Sequence, residues 1–249
     1  MLSAHENQSD LTATLRQQVA EAGAILHHLG IVDYLGHCSA RIAGTDTLVI
    51  KPKHSTRTRS PEQLGGEDMS VIDLDGELIE GTELPPAERF IHTEIYRARP
   101  DVNAVVHTHQ PAATTLGLLD AKLKPLLHVP TVLTGGADIN TWPVSKLVTD
   151  IELGQELAAA LGDAPLCHLQ GHGIVSVASD LPRATVAAIA LEQLARTNLD
   201  VLHTGLEPRQ IPHEEIDSLR QTLAPIAGRW AYYRQLIGAA TDDDPKESI

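Results

Sequence analysis

The chain has 249 residues, and its 33 Asp plus Glu against 19 Lys plus Arg give a formal charge of -14, which argues against binding along a nucleic-acid backbone, where a clustered basic surface must neutralise phosphates. At 42% hydrophobic and 21% charged, the composition is that of a globular chain able to bury a core, not of a disordered or fibrous one. Two cysteines without CxxC spacing exclude a disulfide framework and a thiolate zinc cage and fit a reduced, cytoplasmic setting, while the lack of a leader-like N-terminus and of any apolar run near ~18 residues sets the expectation of no secretion signal and no membrane partner.

Apolar residues at Leu11, Leu15, Val19, Ala22, Leu26 and Leu29 recur at helical spacing and predict a first helix. Ser39 to Ile50 alternates around a Gly-Thr-Asp turn and predicts a hairpin, and Met69 to Ile79 predicts a second around Asp75-Gly76. The polar stretch between them reads as a loop. Pro85 and Pro86 predict a helix with proline in its first turn, ended by Pro100. An apolar strand over Asn103 to His107 follows, then a helix from about Pro111, then an irregular stretch to Trp142. Ser145 to Leu161 reads as a helix closed by Gly162, Leu166 to Leu169 and Gly173 to Val177 as short strands, and Leu181 to Leu202 as a long Ala-rich helix. His213 to Ile237 reads as one last helix, and the acidic tail, 241–249, as disordered. With no internal repeat or linker, one α/β domain over 1–249 is the simplest count.

His107 and His109 stand two apart at the end of an apolar strand. Side chains at i and i+2 share a face, so both imidazoles can bind one ion. With 13 His in the chain, chance alone gives such a pair on the order of once. His172 lies between Gly171 and Gly173, which remove steric cover from the ring; the plain alternative is an exposed histidine in a glycine turn. Glu88 opens the helix after the prolines, where the helix dipole favours a carboxylate, and serves as general acid/base only if it reaches the same cleft. His92, one turn on, reads as a core histidine rather than a ligand.

The run PPAERFIHTEIYRARPDVNAVVHTHQPAATTLG, with GHCSARI and TLVIKP before it and QGHGIV after it, resembles the class II aldolase/adducin family over roughly residues 10 to 205. The resemblance implies a single-domain, three-layer α/β/α fold with a central, mainly antiparallel sheet. It further implies one divalent ion per subunit (zinc, or manganese, iron or cobalt) on His107, His109 and His172, with Glu88 as acid/base. It also implies a homotetramer with active sites near subunit interfaces. Sugar-phosphate members of the family hold phosphate with an Asn turn, a glycine after the second strand and a Ser-Ser pair before the Glu; here those positions carry His37, Lys53 or His54, and Pro86-Ala87. Proline donates no hydrogen bond, so a phosphorylated sugar is disfavoured.

What stands there instead is cationic: Lys51, Lys53, His54, Arg57 and Arg59 fall within nine residues with no acid among them. Charge runs are usually solvated loops, but at the position where relatives hold the substrate's anionic end they suit a carboxylate. His37, Ser39 and Arg41 in the neighbouring GHCSAR segment are candidate substrate contacts. This pattern resembles the family's decarboxylases of hydroxylated aromatic or heteroaromatic dicarboxylates, such as dihydroxyphthalate decarboxylases, enzymes of aromatic compound catabolism. The expected function is therefore a metal-dependent lyase, a decarboxylase; an aldolase for a non-phosphorylated or acidic aldol and a non-catalytic adducin-like binding module are the alternatives. Three of the seven aromatics lie in Trp230 to Tyr233. They anchor the last helix, or, as the resemblance implies, Tyr232 or Tyr233 reaches a neighbouring subunit's site as a proton donor.

Overall fold

Strands that alternate aliphatic side chains between two faces need cover on both, and this chain supplies helices to each face of one sheet. The computed structural model describes residues 4–53, 59–119, 122–136, 139–223 and 225–239. Its strands are β1 (His37–Arg41), β2 (Thr47–Ile50), β3 (Ser70–Asp73), β4 (Leu78–Glu80), β5 (Ala104–Thr108), β6 (Asn140–Trp142), β7 (Leu166–Leu169) and β8 (Gly173–Ala178). They form a single sheet in the order β4-β3-β2-β1-β5-β8-β7-β6. All neighbours are antiparallel except β6 and β7, so the sheet is mainly antiparallel, as expected.

The helices are α1 (Ala4–His28), α2 (Phe90–Ala98), α3 (Pro111–Leu116), α4 (His128–Leu133), α5 (Ile151–Leu161), α6 (Leu181–Thr204), α7 (His213–Leu223) and α8 (Ala227–Leu236). On one face, Cys38, Ala40, Val49, Ala104, Val106 and Ile174 pack with residues of α1, α3 and α6. On the other, Leu48, Ile50, Val105, Val175 and Val177 pack with Ile91 and Ile95 of α2 and Leu157 and Leu161 of α5. The result is three layers, α/β/α. Strand period decides which polar residues go where: His37, Ser39 and His107 alternate with the first set and so face α2. The segment after β5 is tied to α6, because Gln110 donates to the Ala188 carbonyl and the buried Glu192 carboxylate accepts from the Ala112 and Ala113 amides at the start of α3.

Several expected boundaries move for local reasons. α2 begins at Phe90, with Pro85 and Pro86 ahead of it and Glu88 in the preceding turn, not inside the helix. α5 begins at Ile151, where Asp150 caps it by accepting from the Leu153 amide, so residues 145–150 form a loop. The stretch before Trp142, expected to be irregular, contains α4 and the edge strand β6. The last helix is two, α7 and α8, with Pro225 between them, whose ring cannot continue an α-helix. No helix among the described residues is long and apolar enough to cross a membrane. Cys38 and Cys167 are buried free thiols.

Ile95 is fully buried between α2 and the sheet. Truncation there leaves a cavity under the helix that carries the site's supporting residues, so Ile95→Ala is expected to lower unfolding free energy by about 2–5 kcal/mol in urea titration.

Candidate metal centre

Four side chains from three separated stretches converge at the end of the central strands. One ligand-type atom from each of Glu88, His107, His109 and His172 lies within 4.8 Å of all the others. β5 supplies His107 and, just beyond its end, His109; the β7–β8 turn supplies His172; the turn before α2 supplies Glu88. The ring centroids of the three histidines are 4.8–4.9 Å apart pairwise.

Glycine makes the convergence possible. Gly171 has φ +66°, a left-handed turn that carries the chain into His172. At Gly173 an added Cβ would lie 2.1 Å from the Thr108 carbonyl oxygen and 3.1 Å from the His109 ring, so only glycine lets the hairpin press against β5. Gly36 plays the same part before His37, where a Cβ would sit 2.7 Å from Val32.

The donor set is poised for a cation. His107 Nδ1 donates to the Ile174 carbonyl oxygen at 2.9 Å, which leaves Nε2 with its lone pair. That Nε2 is 3.0 Å from His109 Nε2, close to the ~3.3 Å that separates two nitrogens on one tetrahedral zinc ion. Both ring nitrogens of His172 are buried without a hydrogen-bond partner, an expensive state unless something else binds them. Burial, followed by the charges of neighbouring imidazoles, pushes the pKa values of His107 and His109 down, so both rings are held in the neutral, ligating form. Three imidazoles beside a carboxylate fit a divalent ion.

Glu88 is fixed by its other oxygen: Oε1 accepts from the Val148 amide at 3.0 Å, while Oε2 faces His172 Nε2 at 3.5 Å. Burial alone would raise its pKa, but the His172 ring, the hydrogen bond from the Val148 amide and the nearby His109 ring outweigh burial and hold the carboxyl below its usual range. The Val148 amide was not legible from the sequence, because it comes from the loop between β6 and α5.

The chain matches the family model of the class II aldolase and adducin N-terminal domain over residues 17–199. It belongs to that family. Among curated relatives it is 31% identical to 3,4-dihydroxyphthalate decarboxylase of Arthrobacter keyseri, over 88% of this chain and 96% of the relative. It is also 30% identical to 5-deoxy-D-ribulose 1-phosphate aldolase of Bacillus thuringiensis, over 61% of this chain and 70% of that enzyme. Among solved structures it shares the fold of an aldolase II superfamily protein from Pseudomonas syringae, with TM-score 0.78 and 21% identity over 91% and 93% of the two chains. Class II aldolases depend on a divalent metal, and the His/Glu cluster is a site of the kind they require.

The other candidate residues lie elsewhere or are already engaged. His37 is the cross-strand partner of His107, with ring centroids 5.0 Å apart, and is buried beside the cluster. Ser39 faces inward to His92 and Tyr96. Arg41 gives its guanidinium to the carbonyls of Tyr96 and Val102 and stacks on the Tyr96 ring, so it braces α2 against the sheet. Lys51 is buried with its ammonium on the Tyr34 and Gly36 carbonyls, where it holds the loop leading into His37. Arg59 donates through both terminal guanidinium nitrogens, Nη1 and Nη2, to the Asp68 carboxylate, a partner distant enough in sequence to escape a reading of the charge run alone. Lys53 is exposed; His54 and Arg57 lie outside the described residues. Tyr232 is 56% exposed and meets the Tyr233 ring, while Tyr233 and Trp230 pack on the core, anchoring α8.

Gly173→Ala tests the close approach of the hairpin to β5. It is expected to cost about 1–3 kcal/mol in thermal or chemical unfolding, because the Thr108 carbonyl is backbone and cannot rotate away.

Proposed function

We propose that this lyase is a metal-dependent decarboxylase of a hydroxylated aromatic or heteroaromatic dicarboxylate, in the cytoplasm, with His107, His109 and His172 as the ligands of zinc, manganese, iron or cobalt. The observation that carries it is the convergence of those three imidazoles on Glu88. A divalent ion held there supplies Lewis-acid stabilisation of the negative charge left on a substrate when its carbon-carbon bond breaks.

The chain's own residues account for the proton. Glu88 is held as a carboxylate, so it acts first as a base toward a substrate hydroxyl and then returns a proton to the carbon that has lost carbon dioxide. Its anchoring to Val148 keeps Oε2 turned toward the cluster during both transfers. The substrate's carboxylate is assigned to His37, Lys53, His54 and Arg57, while Arg59 is held by Asp68.

Two features favour carbon dioxide over a phosphorylated aldehyde as the departing chemistry. Pro85 and Pro86 are buried before Glu88 with no N–H to offer, and Lys51 is spent on backbone carbonyls. The similarity to the decarboxylase also spans more of the chain than that to the aldolase. Aldol cleavage remains the second reading, because aldolases are among the relatives and use the same class of charge stabilisation. A homotetramer with shared sites belongs to the reading, with Tyr232 as the ring exposed enough to meet a neighbour; light scattering on the purified protein gives the subunit number.

Metal-reconstituted protein incubated with 3,4-dihydroxyphthalate is expected to release carbon dioxide. Release of aldehyde from an aldol substrate, with no carbon dioxide from any hydroxylated aromatic acid, would replace the decarboxylase with an aldolase. Chelation should abolish turnover and added divalent metal restore it. Glu88→Gln should retain bound metal by elemental analysis while kcat falls about 10²–10⁴-fold.

A further inference from the structure

Under α2, beside the histidine cluster, lies a row of polar side chains that the proposed reaction leaves unused. His37 Nδ1 is 2.7 Å from His92 Nε2, His92 Nδ1 is 2.6 Å from Ser39 Oγ, and Ser39 Oγ is 2.8 Å from the Tyr96 hydroxyl. All four residues are buried, Ser39 and His92 completely. Each contact must therefore hold one proton, and the direction of the row follows from its closed end.

That end is Tyr96. Burial raises the pKa of its hydroxyl, so the phenol keeps its proton and, being buried, must donate it. Ser39 Oγ is then the atom that receives the phenolic proton. A serine hydroxyl that accepts from Tyr96 is left to donate its own proton, and His92 Nδ1 is the atom in reach. His92, pushed by burial to a pKa of about 3, is a neutral ring with one N–H, which must sit on Nε2 and point at His37 Nδ1. His37 Nδ1 is thus an acceptor, and its single proton sits on Nε2.

We propose that the Tyr96–Ser39–His92 row locks His37 as its Nε2–H tautomer, so that His37 presents a hydrogen-bond donor to an anionic substrate oxygen beside His107. His37 and His107 are cross-strand partners with opposite assignments. His107 gives its Nδ1 proton to the Ile174 carbonyl and keeps a lone pair at Nε2, whereas His37 has its lone pair engaged at Nδ1. The row thereby separates the adjacent rings into a ligand and a donor, in agreement with a cation-binding group that contains His107 and omits His37. Tyr96, Ser39 and His92 are positioning residues. The donor role toward substrate rests on the decarboxylase reading; the tautomer does not.

The test is nitrogen NMR of the zinc-loaded protein carrying ¹⁵N-histidine, with His37 assigned by its disappearance in His37→Gln. Long-range proton-nitrogen correlation is expected to show His37 Nε2 as a protonated, pyrrole-type nitrogen and Nδ1 as pyridine-type; the reverse pattern would overturn the proposal. Tyr96→Phe removes the proton that sets the direction and is expected to shift His37 toward the Nδ1–H form, with zinc content unchanged. Unaltered His37 shifts in that variant would overturn the row's role, and Ser39→Ala reads the same change if Tyr96→Phe fails to fold. With 3,4-dihydroxyphthalate, Tyr96→Phe should raise KM about tenfold or more while kcat changes less, the loss of one charge-assisted hydrogen bond; an unchanged KM would remove His37 as the substrate's donor. Because the NMR arm needs no turnover, an inactive wild-type protein with the expected tautomer would sink the decarboxylase reading alone.

Discussion

A histidine buried at the end of a central strand must have both ring nitrogens satisfied, and the arrangement around His107 follows from that requirement. Its Nδ1 is satisfied by β8, through the Ile174 carbonyl. Its Nε2 lies 3.0 Å from His109 Nε2, with the His172 ring packed alongside. Three such rings pack at centroid distances under 5 Å, and burial keeps His107 and His109 neutral, so their lone pairs suit a cation. The carboxylate of Glu88 completes the set without itself needing the ion for support, since Val148 holds it.

Close backbone approach makes that packing possible, and small residues set it. Gly173 lets the β7–β8 hairpin reach the Thr108 carbonyl, and Gly36 lets the chain entering β1 pass Val32 and the His107 carbonyl. The segment beyond His109 is then secured from the opposite layer, by Gln110 on the Ala188 carbonyl and by Glu192 on the amides that open α3. The site is therefore braced from both helical layers, although its polar side chains lie on the α2 face. Lys51 adds a third brace, spending a cation on the backbone of the loop before His37. Its lowered pKa comes from burial, which fits an ammonium held for structure rather than offered to a substrate.

Strand alternation and residue spacing made the outline legible from the chain alone. The two hairpins, the His107 strand, the short β7 and β8 and the long α6 could each be read from local pattern, because each satisfies its own period without outside help. The His-x-His pair and the Gly-flanked His172 could be read as a metal site only together, since neither is informative alone. What failed locally was what depends on partners. α4 and β6 form in a stretch with little periodicity because neighbouring elements, α6 and β7, give them a surface to pack on. The start of α5 moved to the Asp150 cap, and the last helix divided at Pro225.

The cationic run from Lys51 to Arg59 shows the same division. Charge could be counted in the sequence, but not where it was spent: Lys51 goes to backbone carbonyls and Arg59 to Asp68. Arg41, one strand away, turned inward onto Tyr96 for the same reason, that a partly buried guanidinium takes the nearest carbonyls. The sequence by itself determined the residue types, the strand and helix periods and the family to which they belong. Tertiary structure alone decided which nitrogens face one another and which charges remain available, because hydrogen bonds between residues more than fifty positions apart, such as His37 with His92 and Val148 with Glu88, have no trace in local spacing.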